Sequence, residues 1–193
     1  MPAPAKHSEE KLLDRAVEQF WVAGYGATTI RDLERALDVT APSIYHRWGG
    51  KDELFERAIA HYVATVIEPR IARYLGASDE PIVDLYRFFR TAQSPRGCML
   101  TTAAVELGPR SSAVRTCVER GLDVMRAGLH GEAARLVERD LVPGPPADLA
   151  QTLLVDMQGL MVLSRLGLSS EELRRRTHLV FVAMCGDRFR PRR

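Results

Sequence analysis

Apolar residues recur along this chain at the three- and four-residue spacing of helices, and no stretch sustains the alternation of a strand. Leu12, Leu13, Ala16, Val17 and Phe20 mark a first helix, with Ser8 as its cap, Glu9 and Glu10 in its first turn, and Gly24 and Gly26 at its end. Ile30, Leu33, Ala36 and Leu37 mark a second over 29–37, where Thr29 and Asp32 have the spacing of a capping box. After the turn Asp38-Val39 a very short third helix runs to about Trp48. Thr40 stands where it can cap that helix, and Pro42 falls in its first turn, where a missing N–H costs little. Gly49-Gly50 breaks the chain, and a fourth helix starts near Lys51 with a stripe of Leu54, Phe55, Ala58, Ile59, Tyr62, Val63 and Val66. Pro69 is expected to kink or break it, and Gly76 to end it.

The remainder also reads as helix. Residues 79–92 are amphipathic through Ile82, Leu85, Tyr86 and Phe89. The turn 94–97 leads into a segment 98–107 that Gly108-Pro109 ends. One long helix is expected over 111–141, with Gly121, Gly128 and Gly131 weakening it and marking bends. A loop at 143–146 separates it from a helix over 147–166, which Gly159 interrupts, and Ser169 with Glu172 has the spacing of a capping box for a last helix to about Cys185. This last pair is apolar on more than one side. Residues 1–7 read as a loose tail and 188–193 as a solvated Arg-rich one.

The two short helices over 29–48, joined by a tight turn, have the form of a helix-turn-helix, which in DNA-binding proteins places the second helix in the major groove. Ile44 and Trp48 share one side of that helix and face the first helix, with Val39 beside them. Pro42, Ser43, Tyr45 and His46 then occupy the outer side and its flanks. Tyr45, His46 and Lys51 carry donors suited to phosphate oxygens, and the Thr40 hydroxyl and the helix N-terminus add further ones. Thr28, Thr29, Arg31 and Ala41 complete the candidate contact set.

This segment resembles the DNA-binding domain of the TetR family of bacterial transcriptional regulators. The matching features are Gly24-Tyr25, Thr28-Thr29-Ile30, Asp32-Leu33, Ala36, Val39-Thr40, Ser43-Ile44-Tyr45-His46, Trp48 and the run 51–54, within about 8–66. The family usually has Gly where Asp38 stands, often a small residue where Pro42 stands, and Phe where Trp48 stands. Asp tolerates a left-handed turn at modest cost, so the fold is expected to persist, while Pro42 on the reading face bears on the operator sequence. The start of 98–107 resembles the Gly-Cys-rich helix start of many TetR C-terminal domains, less specifically.

The resemblance implies an all-α protein with a helix-turn-helix DNA-binding domain over 1–50 and a C-terminal helical regulatory and dimerisation domain over 51–193. It implies a homodimer formed by the last two helices, a palindromic double-stranded operator, and repression relieved by a small, largely apolar inducer. Tyr62, Leu85, Tyr86, Phe89, Met99, Met125, Leu129, Met157 and Met161 are candidate lining, with Thr101, Thr102, Asp156 and Gln158 as polar anchors. The same side chains would serve equally as packed core, which leaves as alternatives a constitutive DNA-binding dimer and, behind it, a helical small-molecule-binding protein or enzyme.

Composition adjusts this picture. The formal net charge is only +2, and residues 1–60 hold 8 Lys/Arg against 10 Asp/Glu, so no bulk basic footprint exists. DNA affinity is then expected to rest on a few placed contacts and on dimerisation, with a modest salt slope. Three cysteines without metal-like spacing, and no signal peptide or apolar run near the roughly 18 residues of a membrane span, point to a reducing cytoplasm. Phosphate loops, zinc spacings and nucleophile elbows are absent, so no catalytic residue, metal or cofactor is expected. Cys98 at a helix start has the setting of a sensor thiol, although buried inert cysteine is the commoner state. Cys117, Cys185 and the lone His178 read as structural.

Overall fold

The computed structural model describes residues 8–189, so the two expected tails lie outside the described residues, apart from Arg188 and Phe189. Its helices are α1 Glu9–Ala27, α2 Ile30–Leu37, α3 Ala41–Trp48, α4 Lys51–Tyr62, α5 Glu68–Tyr74, α6 Pro81–Ala92, α7 Met99–Leu107, α8 Ser112–Glu138, α9 Pro146–Arg165 and α10 Ser170–Cys185. No strand occurs among the described residues. The chain forms two compact units: Met1–Thr65 with Met99–Gly121, and Val66–Cys98 with Leu122–Arg193.

In the first unit α1 packs along α4 and also meets α2 and α7. The contact is aromatic at its centre: Phe20 meets Phe55 edge to face at 4.8 Å between centroids, and Trp21 meets Tyr62 in the same way at 4.8 Å. Leu12, Ala16, Ala58 and Ile59 fill the rest, and burial of each large apolar side chain contributes about 2 kcal/mol. Helical dihedrals in α1 stop at Gly24 (φ +81°, ψ 171°), so the stretch to Ala27 is a separate turn, as the glycines led one to expect.

The glycines of α8 act otherwise than expected. The helix runs unbroken, and Gly121 is instead a point of close approach, since a Cβ there would lie 2.7 Å from Leu100 Cδ1 and 3.0 Å from Val63 Cγ2. In the second unit a Cβ on Gly128 would lie 2.9 Å from Ile71 Cγ2. Gly159 on α9 has nothing within 4 Å.

The chain enters the second unit through a π-helical turn, Val63–Ile67, placed just before Pro69 in the first turn of α5. Proline has no N–H for the ladder and its ring crowds the carbonyl one turn back, so the widened turn accommodates it without ending the helical path. The core of this unit joins α6 to α10 through Phe89 and Phe181, edge to face at 5.3 Å, with Tyr86 and Phe189 on the same ring. Phe189 is buried there and Arg188 donates to the Asp140 carbonyl, so the chain is held in place up to that point rather than being a solvated tail. Ser169 caps α10 by accepting from Glu172 N, but Glu172 turns to Arg176 at 2.9 Å instead of completing the box.

Periodicity misreads one side of α6. Asp84 is fully buried, whereas Ile82 is only half-buried. Asp84 accepts from Ser78 N and Ser78 Oγ, both at 2.8 Å, and Arg135 Nη1 reaches it at 3.4 Å. Arg135 also pairs with buried Glu132 at 2.9 Å, and Glu132 accepts from Gly76 N. Two buried carboxylates and one guanidinium thereby fix the loop between α5 and α6 on α8.

Candidate nucleic-acid interface

The helix-turn-helix is built by local chemistry. Thr29 Oγ1 accepts from Asp32 N at 3.2 Å while Asp32 Oδ2 accepts from Thr29 N at 3.0 Å, which is the capping box expected for α2. The Thr29 hydroxyl also donates to Asp32 Oδ2 at 2.6 Å, and this bond first, then the one from Thr29 N, holds the Asp32 carboxyl below its ordinary pKa. α2 ends at Asp38 in the left-handed conformation (φ 57°, ψ 47°), with its N–H returned to the Glu34 carbonyl. Asp therefore does the work of the glycine usual in this turn. Arg15 Nη1 donates to the Leu37 carbonyl at 3.1 Å and ties this end of α2 to α1.

The cap of α3 differs from expectation. Thr40 occupies the N-cap position but its side chain makes no capping hydrogen bond. Glu34 replaces it: its Oε1 accepts from Ala41 N at 2.5 Å. One residue thus closes α2 with its carbonyl and opens α3 with its carboxylate, leaving the Thr40 hydroxyl exposed and uncommitted to the cap.

Ile44 and Trp48 are buried against α2 and α4, as expected, though the Trp48 indole N–H has no acceptor. On the other side Pro42, Tyr45, His46 and Arg47 are exposed, with Ala41 and Ser43 half-buried. Tyr45 leaves 54% of its surface open, high for an aromatic residue without a partner. Thr29 and Arg31 are exposed beside this face. Thr28 is not: it is 1% exposed, and its hydroxyl donates to the Gly24 carbonyl at 2.6 Å, so its side chain is a turn element and not a contact.

Lys51 opens α4 beside this face. Its Nζ lies 3.9 Å from the centroid of the Tyr25 ring, and the Tyr25 hydroxyl donates to Asp52. Burial lowers the Lys51 pKa, against the opposing charges of Asp52 and Glu106. Glu34 and Glu106 are participants that local sequence patterns do not single out. Arg47, next to His46, is an exposed basic residue on α3 that the candidate contact set omits.

The candidate ligand residues divide between the units. Tyr62 and Met99 are buried in the first, with Thr101 and Thr102 half-buried there. Leu85, Phe89, Met125, Leu129, Met157 and Met161 are buried in the second, where Tyr86 joins the aromatic cluster and the Gln158 amide reaches Met125 Sδ at 3.8 Å. Half-buried Asp156 has its pKa raised by burial. Two clefts of about 350 Å³ in the second unit have other linings, one at Asp79 to Val83 with Arg139 and Arg188, the other at Arg90, Gln93, Ser164 and Arg174. Cys98 is buried. Cys117 is only half-buried, contrary to a plain core position, and lines a cleft with Arg47, Trp48 and Glu56, where burial raises its thiol pKa. Burial pushes Cys185 up to about 11, and His178 packs on Phe189 at 5.2 Å. Among the described residues no group of His, Cys, Asp and Glu could hold a metal, and no helix is long and apolar enough to cross a membrane.

Among the described residues, ten α-helices and an exposed, cap-locked third helix define an all-α helix-turn-helix fold. Residues 12–58 match the family model described as bacterial regulatory proteins, tetR family. The repressor ComR of Escherichia coli (strain K12), HTH-type, is 25% identical over 180 residues, 88% of this chain and 85% of that one. The HTH-type transcriptional repressor DhaR of Mycobacterium sp. (strain GP1) is 22% identical over 183 residues, 91% of each. A cysteine-substituted form of the TetR family regulator CifR, solved in complex with 26-bp double-strand operator DNA, superposes with a TM-score of 0.82 at 25% identity, covering 94% of this chain and 99% of that one. Residues 12–58 match the tetR-family segment, and over most of its length the chain is similar to helix-turn-helix transcriptional regulators of that family.

Proposed function

We propose that the protein is a cytoplasmic repressor that binds a palindromic operator as a homodimer, reads it with α3, and leaves it when a small, largely apolar ligand binds. Residues 1–50 hold the DNA-reading domain and 51–193 the regulatory and dimerisation part. The observation that carries the reading is the exposed face of α3, with Tyr45 and His46 projecting from a helix whose buried side is locked by Ile44, Trp48 and the Glu34 cap. Thr29, Arg31, Thr40, Ala41, Pro42, Ser43 and Lys51 surround that face. Ligand acts by preferring a state whose two reading helices no longer match the operator spacing. No catalytic role is assigned, in keeping with relatives that are all regulators.

The test is selection of bound duplexes from a random pool by the purified protein at two salt concentrations. A palindrome with fixed half-site spacing is the expected outcome, and no enrichment at either salt removes the reading. One observation favours a constitutive DNA-binding dimer as the second reading: Leu85, Phe89, Met125, Leu129, Met157 and Met161 in the second unit are almost completely buried. A screen of apolar compounds on the recovered duplex separates the two, because only the first predicts release.

A further inference from the structure

The turn between α1 and α2 takes its support from a residue far along the chain. Glu106 Oε2 on α7 accepts from Tyr25 N at 2.7 Å and from Gly26 N at 3.0 Å, across 81 and 80 residues. The other carboxylate oxygen fills the space beside Gly24, where a Cβ would lie 2.3 Å from Glu106 Oε1. The remaining polar groups of the turn are also held: the Thr28 hydroxyl donates to the Gly24 carbonyl at 2.6 Å and Thr28 N donates to the Tyr25 carbonyl at 3.2 Å. One residue later Thr29 caps α2, and α2 carries α3 through Glu34. Tyr25 is in turn the platform for Lys51 and Asp52 at the start of α4. A single carboxylate on α7 therefore sits at the origin of both paths into the reading helix.

We propose that Glu106 is the positioning residue that sets the direction of the helix-turn-helix on α7, and through it the half-site spacing the dimer accepts. This rests on the proposed operator binding. Displacing α7 withdraws the acceptor of two backbone N–H groups together and frees the turn at Gly24, the residue whose positive φ makes it the natural pivot. A turn tied only to solvent would leave α3 free to adjust to several spacings. The Glu106 carboxylate removes that freedom, and it does so from outside the two helices of the motif.

The experiment compares the full-length protein with Glu106→Gln and Glu106→Leu on the selected duplex and on duplexes whose half-site spacing is changed by one base pair either way. Secondary structure, melting and dimer mass are followed in parallel. The amide oxygen of Glu106→Gln still accepts both N–H groups, so it keeps most of the spacing preference. Glu106→Leu retains the dimer and loses about tenfold in affinity at the native spacing, with little loss on the altered duplexes, so the preference collapses. Unchanged preference in Glu106→Leu overturns the proposal. So does an equal proportional loss on every duplex, which is what a merely structural tether gives. If the wild type selects no duplex, the operator reading fails first, and the two failures are told apart by that control.

Discussion

The Lys51 ammonium rests 3.9 Å above the centroid of the Tyr25 ring. It is held at the start of α4 on an aromatic platform rather than in free solvent, so its rotamer freedom is already reduced. Loss of the charge and loss of the platform should then weaken binding by different routes. Lys51→Ala is expected to lower operator affinity and to reduce the salt slope by about one, as for any phosphate contact. Tyr25→Leu is expected to lower affinity with the slope unchanged, since the charge remains. Fluorescence anisotropy across a salt series measures both; an unchanged slope in Lys51→Ala would remove Lys51 from the phosphate contacts.

Tyr25 also gives a pH signature. Burial first, then the hydrogen bond to Asp52, raises its pKa from 10.0 to about 12. The folded state holds this proton more tightly than the unfolded chain, so the contribution to stability is fully present below about pH 10 and is lost as pH rises through about 12. Phenolate absorbance of the native protein should therefore include a late step near pH 12 that Tyr25→Phe removes. In the same variant the fall in melting temperature between pH 10 and 12 should shrink.

Tyr45 projects from the opposite side of the motif from its core. Its exposure predicts that Tyr45→Ala leaves the melting temperature and the dimer within error, because no packing is removed. Operator affinity should fall about tenfold, in line with one lost contact of 1–3 kcal/mol. Thr28 predicts the reverse. Thr28→Val removes the hydroxyl that holds the Gly24 carbonyl and should cost about 1 kcal/mol of stability. Denaturant melts of the two variants, set beside their DNA titrations, check this division between a contact residue and a turn residue.

What the sequence makes legible here is what is local. The Thr29–Asp32 box and the left-handed Asp38 follow from residues within four positions, and the stripe from Leu54 to Tyr62 follows from spacing alone. The Glu34 cap on Ala41 escapes because Thr40 is the better local candidate, and only the angle between α2 and α3 brings the carboxylate within reach. Glu106 and Asp84 escape for a stronger reason. Gly26 lies 80 residues from Glu106 and Arg135 51 residues from Asp84, and a charged residue on an otherwise apolar side of a helix reads as noise in a periodicity argument. Gly121 and Gly128 show the same limit: a glycine inside a helix has no sequence mark that separates a bend from a close approach.

The Asp84–Arg135–Glu132 network predicts a large stability effect remote from any DNA contact. Glu132→Ala would leave Gly76 N without its acceptor and Arg135 without its nearest carboxylate, in a site where Glu132 is 1% exposed. Breaking a buried pair in this way costs about 3 kcal/mol, while Glu132→Gln, which keeps an acceptor of the same shape, should cost less. Urea melts should rank the variants as wild type, Glu132→Gln, Glu132→Ala in falling stability. DNA affinity per folded dimer should be unchanged in all three. Equal stability would mean that the loop between α5 and α6 is held without Glu132, by Asp84 and its other contacts.

The last prediction concerns α9 and α10. Val155 and Val162 on α9, Leu166 at its C-cap, and Leu179 and Val182 on α10 are all exposed, between 40% and 72%, whereas each helix buries its other side in the unit. On α9 they fall, with Gly159, at spacings of four, three and four, the repeat of a helix seam rather than of scattered surface residues. A stripe of this kind, uncovered within one chain, is the surface on which two copies would pack, and the open Gly159 would let the helices approach closely. A charge at its centre should separate the copies without unfolding them, because Val162 takes no part in the core. Val162→Arg is therefore expected to run at the mass of one chain in sedimentation at micromolar concentration, with its helix content kept. Its operator affinity should fall much further than that of any single contact variant, since each half-site would have to be held without the linked second one. A dimeric Val162→Arg would move the interface to another face.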